Sequence, residues 1–270
     1  MVDPISRAVG APGPMPIVPD LRARLTSGDF LIGTWLTFLD PSVAELLAGA
    51  GYDFLVVDME HGVADAAHLQ GLCIAARAGG AAVLARVGAN EPVRIMHALD
   101  VGAAGVIVPQ IRSVADVERA VAWSRYPPAG LRGAAARRPS DYGRRTKEYF
   151  ATADETVLCC AQVETREALE AIDAILAVPG VDALLIGPND LAAALGHLGD
   201  PGHPEVEAAV AAVLKRATAA GVPVGYVAAS PDPAPARARR EQGFAFVTVG
   251  IDFAFLTSGA STALAAVRDG

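Results

Sequence analysis

Apolar residues along the chain fall into short unbroken runs separated by longer stretches with helical spacing. The runs are Leu31–Leu36, Phe54–Val57, Ala82–Val87, Gly105–Val108, Val157–Val163, Ala183–Ile186, Pro223–Val227 and Phe246–Val249. None alternates with polar residues, as expected for parallel strands covered on both faces. The intervening stretches, Pro41–Ala50, Ala64–Ala78, Glu91–Val101, Ser113–Tyr126, Thr165–Val178, Glu205–Ala220, Pro231–Gln242 and Phe253–Val267, predict helices. Asp40-Pro41 reads as a cap followed by a first-turn proline, and Gly51, Gly102 and Gly221 follow helix ends. Pro127–Phe150 interrupts the rhythm with a polar, arginine-rich segment and predicts a long loop.

Eight strand–helix pairs in one chain predict an α/β fold, a single (β/α)8 TIM barrel, over 28–270. The proline-rich start predicts a flexible N-terminal extension over 1–27. A doubly wound open sheet is the competing fold. No GxGxxG or GxxxxGK[ST] follows the early strands, so a dinucleotide or P-loop site gains no support.

Composition narrows the function. The chain has 270 residues, 52% hydrophobic and 19% charged, with a net charge of −8. This acidic balance argues against nucleic acid or an anionic membrane as partner. The start lacks a signal-peptide core, and no apolar run reaches the roughly 18 residues of a membrane helix. Three cysteines, two of them adjacent, form neither a disulfide framework nor a CxxC pair, so a cytoplasmic location is expected.

In a barrel the chemistry lies at the C-terminal ends of the strands. The polar residues there are Asp58, Glu60 and His61, then Arg86, Gln162 and Glu164, Asn189 and Asp190 after Gly187-Pro188, and Asp252. Each has an ordinary reading: a carboxylate at a strand end is often a helix cap, Asp252 above all, and Arg86 alone could be a salt-bridge partner. His61 alone reads equally well as a turn histidine or a general base oriented by Asp100. Together they converge on one mouth. Glu164 and Asp190 are hard oxygen donors suited to Mg²⁺ or Mn²⁺. Arg86 has the planar fork to neutralise a carboxylate or enolate. A Schiff-base enzyme would need a lysine in the barrel. The only lysines, Lys147 and Lys215, lie off every predicted strand.

The motifs Gly33-Thr34-Trp35-Leu36, Asp58-Met59-Glu60-His61-Gly62, Ala85-Arg86, Leu99-Asp100-Val101-Gly102-Ala103, Arg125-Tyr126-Pro127-Pro128, Arg132-Gly133, Gln162-Val163-Glu164, Ile186-Gly187-Pro188-Asn189-Asp190-Leu191 and Gly202-His203-Pro204-Glu205 occur in that order. Over about 28–268 the chain resembles the HpcH/HpaI aldolases, metal-dependent pyruvate aldolases. The resemblance implies reversible cleavage of a 4-hydroxy-2-oxo acid to pyruvate and an aldehyde. It implies a homo-hexamer, a dimer of trimers, with the last helix swapped between neighbours. It also implies a divalent metal (Mg²⁺, Mn²⁺ or Co²⁺) on Glu164 and Asp190, with Arg86 at the keto oxygen. His61 paired with Asp100 would serve proton transfer, with Gln162 behind the metal. The backbone near Pro188, Asn189 and Asp190 would receive the pyruvate carboxylate, and Asp58 and Glu60 would shape the mouth. Two departures, Gly133-Ala134-Ala135-Ala136-Arg137-Arg138-Pro139 after Arg132 and Met59 before Glu60, fall on the aldehyde side. The alternatives are a related lyase for an acyl-CoA or dicarboxylate, a non-catalytic oxo-acid binder, and a sugar-phosphate isomerase, for which Val249-Gly250 is only a weak phosphate loop.

Overall fold

The computed structural model describes residues 20–268. Eight parallel strands close a barrel in sequence order: β1 (Leu31–Leu36), β2 (Phe54–Asp58), β3 (Ala82–Arg86), β4 (Gly105–Val108), β5 (Leu158–Val163), β6 (Ala183–Ile186), β7 (Val224–Ala228) and β8 (Phe246–Ile251). The helices are α1 (Leu21–Thr26), α2 (Pro41–Gly49), α3 (Ala66–Ala78), α4 (Pro92–Asp100), α5 (Val114–Ser124), α6 (Thr146–Thr156), α7 (Arg166–Glu170), α8 (Ile172–Leu176), α9 (Pro188–Ala194), α10 (Pro204–Ala220), α11 (Ala234–Gln242) and α12 (Asp252–Arg268). Among the described residues no helix is long and apolar enough to cross a membrane.

Strand parity divides the core in two, because successive side chains point to opposite faces. Leu31, Trp35, Phe54, Val56, Ala82, Leu84, Ile107, Leu158, Cys160, Ala183, Leu185 and Phe246 fill the barrel interior. The intervening residues, such as Leu55, Val57, Val83 and Ala85, pack outward against the helices. Inside, large and small residues interlock. The Phe54 ring occupies the space over Gly33, and the Phe246 ring the space over Gly225. The two rings meet edge to face, 6.1 Å between centroids.

Several expectations are corrected. Leu21–Thr26, expected within the flexible extension, is a helix whose Leu21 and Leu25 join the barrel-interior cluster, while residues 1–19 lie outside the described residues. Asp20 caps it, accepting from the Ala23 amide at 2.9 Å. The segment Pro127–Phe150 holds a single 3-10 turn, Arg138–Ser140, and the first turns of α6. The single helix expected over Thr165–Val178 is broken at Ala171 into α7 and α8. The short helix α9, which starts at Pro188, lies outside the helical stretches that the spacing predicts.

Candidate active site

The inward parity of the strands continues beyond the apolar core and delivers the polar residues. Asp58 follows Phe54 and Val56, Arg86 follows Ala82 and Leu84, and Gln162 follows Leu158 and Cys160, each two residues on. All three are buried at the C-terminal end of the barrel. Asp58 and Arg86 are register partners across β2 and β3. Arg86 Nε donates to Asp58 Oδ1 at 3.1 Å and Nη2 to Oδ2 at 2.7 Å. Its guanidinium lies 4.4 Å over the Trp35 ring, and Trp35 Nε1 in turn donates to Thr248 Oγ1 at 2.8 Å.

Asp58 also builds the turn that follows it. Its Oδ1 accepts from the Glu60 and His61 amides at 3.0 and 3.2 Å. A Cβ on Gly62 would lie 2.2 Å from the Asp58 carbonyl oxygen, so this turn admits only glycine. Burial works to raise the Asp58 carboxyl, but Arg86 and the two amides outweigh it and hold it below its ordinary value. Glu60 goes the other way. Burial raises it, Asp58 and Asp190 add to the rise, and Arg86 and His61 oppose it. Glu60 Oε2 lies 3.4 Å from Arg86 Nη1 yet makes no hydrogen bond.

Glu164, just past β5, is 1% exposed. Its Oε1 accepts from the Gln110 backbone amide at 2.7 Å and from Gln110 Nε2 at 3.1 Å, and its Oε2 accepts from Gln162 Nε2. Burial raises its carboxyl above the ordinary value against those hydrogen bonds, and Glu60 and Asp190 push it further. Gly187 caps α9 and brings Asp190 into the first turn of that helix. A Cβ on Gly187 would meet Gln162 Nε2 and Glu164 Oε2, each at 2.9 Å, so the backbone there is tight against both side chains.

Trp35, Asp58, His61, Arg86, Gln162, Pro188, Asn189 and Asp190 line a cavity of about 560 Å³ at the mouth, with Val227, Ala229, Ile251 and Phe253 as an apolar wall. Glu164 and Asp190 also face an adjoining cleft of about 400 Å³, with Gln110, Arg112 and Arg166. Asp190 thus stands between the two. Asp252, which reads as a helix cap in the sequence, is the first residue of α12, and its buried carboxylate faces the β1 loop. It accepts from the Thr37 amide and hydroxyl and the Phe38 amide, all at 2.6 Å, and so ties the β1 loop to the start of α12.

Asp100 does not join His61. It ends α4, accepts from Arg132 Nη2 at 2.8 Å, and lines a separate cleft with His97, Met96 and Tyr142. The His61 ring is mostly exposed beside the main cavity. Lys147 and Lys215 are exposed on α6 and α10, away from the mouth. Gln110 is the site residue that sequence reading missed. Its backbone is left-handed, at φ 54°, one of three non-glycine residues so placed among those described. Such a conformation costs on the order of 1–3 kcal/mol and gathers at functional sites. A glutamine two residues past a strand end carries no sign of it in sequence.

The donor set fits a hard divalent cation. Asp58, Glu60, Glu164 and Asp190 crowd one mouth, while Arg86, the buried cation there, is committed to Asp58. Glu60 Oε2 and Gln162 Oε1 are buried without hydrogen-bond partners. Carboxylates that raise one another's pKa are relieved by an added positive charge. His197, His203 and Glu205 form another cluster with metal-ligating side chains. There the imidazoles stack face to face, 3.4 Å between centroids. His197 Nε2 is paired with Glu205 at 2.8 Å, and His203 Nδ1 accepts from the Glu205 amide. Parallel rings turn their lone pairs along parallel planes, not onto one ion.

A closed (β/α)8 barrel with carboxylates and an arginine at its C-terminal mouth defines a barrel enzyme. The HpcH/HpaI aldolase/citrate lyase family profile matches residues 31–258. The chain belongs to this family, and it is a carbon–carbon lyase. It is 41% identical to a 2-dehydro-3,6-dideoxy-6-sulfogluconate aldolase of Pseudomonas putida, over 88% of this chain and 92% of that one. It is 37% identical to a 5-keto-4-deoxy-D-glucarate aldolase of Shigella boydii, over 90% and 95%. The structure of a family member from Burkholderia cenocepacia superposes with a TM-score of 0.88 at 41% identity, covering 92% of this chain and 98% of the other.

Proposed function

We propose that the protein is a divalent-metal-dependent aldolase that reversibly cleaves a 4-hydroxy-2-oxo acid to pyruvate and an aldehyde. The observation that carries this reading is the excess of buried carboxylate at the mouth. Glu60 and Glu164 are held above their ordinary values by burial and by neighbouring acids, while the buried guanidinium of Arg86 is committed to Asp58. Glu164 and Asp190 would hold the metal. Mg²⁺, Mn²⁺ and Co²⁺ all suit such oxygen ligands. When bound, the ion supplies Lewis-acid stabilisation of negative charge on the 2-oxo oxygen.

The chain's own residues supply the rest. Arg86, fixed by Asp58 and the Trp35 face, presents a preorganised positive charge to the keto oxygen. Backbone groups of Gly187, Asn189 and Asp190 face the substrate carboxylate, and Gln162 holds the inner side of Glu164. His61 accepts the 4-hydroxyl proton as the C3–C4 bond breaks. The bonding pair passes to the pyruvate fragment as its enolate, and C4 leaves as the aldehyde. Protonation at C3 then completes pyruvate. Asp100 is left out of this scheme, because within one chain it is paired with Arg132.

A homo-hexamer with a swapped last helix is part of the same reading. It is supported by α12, where Phe253, Leu256 and Leu264 are exposed and Asp252 alone is buried. So is a cytoplasmic location, consistent with the free, buried Cys73, Cys159 and Cys160. The test is pyruvate release from a panel of hydroxy-oxo acids with and without EDTA. Metal-dependent release from at least one is expected. No release from any of them with metal present would overturn the activity, and EDTA-resistant release would overturn the mechanism.

A further inference from the structure

We infer that Gln110 is a positioning residue for the metal, setting the orientation of Glu164 through a strained backbone and its carboxamide together. This rests on the metal site proposed above. Gln110 lies in the loop between β4 and α5, two residues beyond Val108, and reaches across to the end of β5. One residue supplies both donors to one oxygen: its backbone N–H at 2.7 Å and its Nε2 at 3.1 Å from Glu164 Oε1. Its own Oε1 accepts from Arg112 Nη2 at 3.2 Å. This fixes the amide the right way round, with NH₂ toward the carboxylate. Oε2 of Glu164 is held separately by Gln162. Between them the two glutamines hold both oxygens of the carboxylate.

The left-handed backbone is what aims the N–H. The other non-glycine residues with positive φ, Asp141 and Tyr142, sit in the turn after Arg138–Ser140, away from Glu164. At Gln110 a glycine would adopt the same φ without strain. It would keep the backbone donor but lose the amide. The presence of a side chain at a position whose backbone favours none is accounted for by the use of that side chain. Groups that orient a ligating carboxylate or imidazole from behind typically change metal affinity or activity about 10–100-fold when removed.

The variants Gln110→Gly and Gln110→Leu separate the parts. Glycine relaxes the backbone and deletes the amide, whereas leucine keeps the strain and deletes the amide. Mn²⁺ binding to the substrate-free full-length protein, followed by electron paramagnetic resonance, is the readout, with Glu164→Gln as reference. Thermal unfolding in EDTA checks that each variant folds. Both variants are expected to melt within a few degrees of wild type and to bind Mn²⁺ about tenfold more weakly. Wild-type Mn²⁺ affinity in a folded Gln110→Gly protein would overturn the assignment to Gln110 and leave the metal site standing. Mn²⁺ binding that survives Glu164→Gln unchanged would overturn the metal site and this inference with it.

Discussion

Arg86 holds both carboxylate oxygens of Asp58, at 3.1 and 2.7 Å, with the two side chains nearly shut off from solvent. A lysine would keep the charge but lose the fork and the planar contact with Trp35. Arg86→Lys should therefore fold normally and lose about 100-fold or more in kcat/KM for pyruvate release, the usual loss when an oriented charge-stabilising donor is removed. Asp58→Ala should also damage the fold, since it strips a buried cation of its main partner and removes the cap of the Glu60–His61 turn. Urea unfolding should show a loss of about 3–5 kcal/mol.

Gly187 offers a steric test of the metal ligands that introduces no new charge. A methyl group there would meet Gln162 Nε2 and Glu164 Oε2 at 2.9 Å, tighter than ordinary contact. Gly187→Ala should push the carboxylate aside, weakening Mn²⁺ binding by about tenfold or more. Far-ultraviolet circular dichroism should be unchanged. Unaltered Mn²⁺ affinity would show that Glu164 does not contribute its oxygen there.

The raised carboxyls give a pH dependence whose sign can be worked out. Burial, with help from Glu60 and Asp190, holds Glu164 above its ordinary 4.5 despite the Gln110 and Gln162 hydrogen bonds. A carboxyl raised by folding destabilises the native state when ionised, so its cost is full above the folded pKa. The cost fades as pH falls through that value toward the unfolded one. In the metal-free protein Glu164→Gln should thus raise Tm at neutral pH, and the gain should shrink as pH falls into the ordinary carboxylate range. The Gln162 amide, whose Oε1 lacks a partner, can turn to accept from the new amide. A gain independent of pH would assign it to packing instead of charge.

The placement of the lysines separates two ways of forming an enolate. Both are exposed on helices, and neither lines the mouth. Incubation with pyruvate and borohydride should leave activity intact, and mass spectrometry should find no pyruvyl adduct on Lys147 or Lys215. An adduct that tracks inactivation would restore the imine route.

The strands were legible because parallel strands covered on both faces must be apolar without interruption, as Phe54–Val57 and Ala183–Ile186 are. The site followed from the same parity, since Asp58, Arg86 and Gln162 stand two residues beyond the last inward apolar side chain. What escaped the sequence depends on groups that pattern does not encode. Gln110 acts through a backbone angle. Within one chain Asp100 pairs not with His61 but with Arg132, from a loop 32 residues away along the chain. The helix α9 spans seven residues, too short for a 3.6-residue period to show.

The helix α1 supports a prediction about the end of the barrel opposite the site. Leu21 and Leu25 are 2% and 6% exposed, in the same barrel-interior cluster as Leu31 and Phe54. Arg22 pairs with Asp182 just before β6 at 2.7 Å, and Arg24 pairs with Asp53 just before β2 at 2.6 Å. The helix therefore plugs the mouth formed by the strand N-termini and binds two of them by charge. Six residues form no stable helix in isolation, so its order comes from this docking. Leu21→Ala should cost about 2–4 kcal/mol in unfolding free energy, the range for a buried leucine whose cavity collapses only partly. Mn²⁺ affinity and kcat should stay near wild type, because the catalytic groups are set by the other ends of the strands. A fall in Mn²⁺ affinity comparable to that of Gly187→Ala, in a protein still folded at the assay temperature, would show that the plug is coupled to the site through the barrel interior.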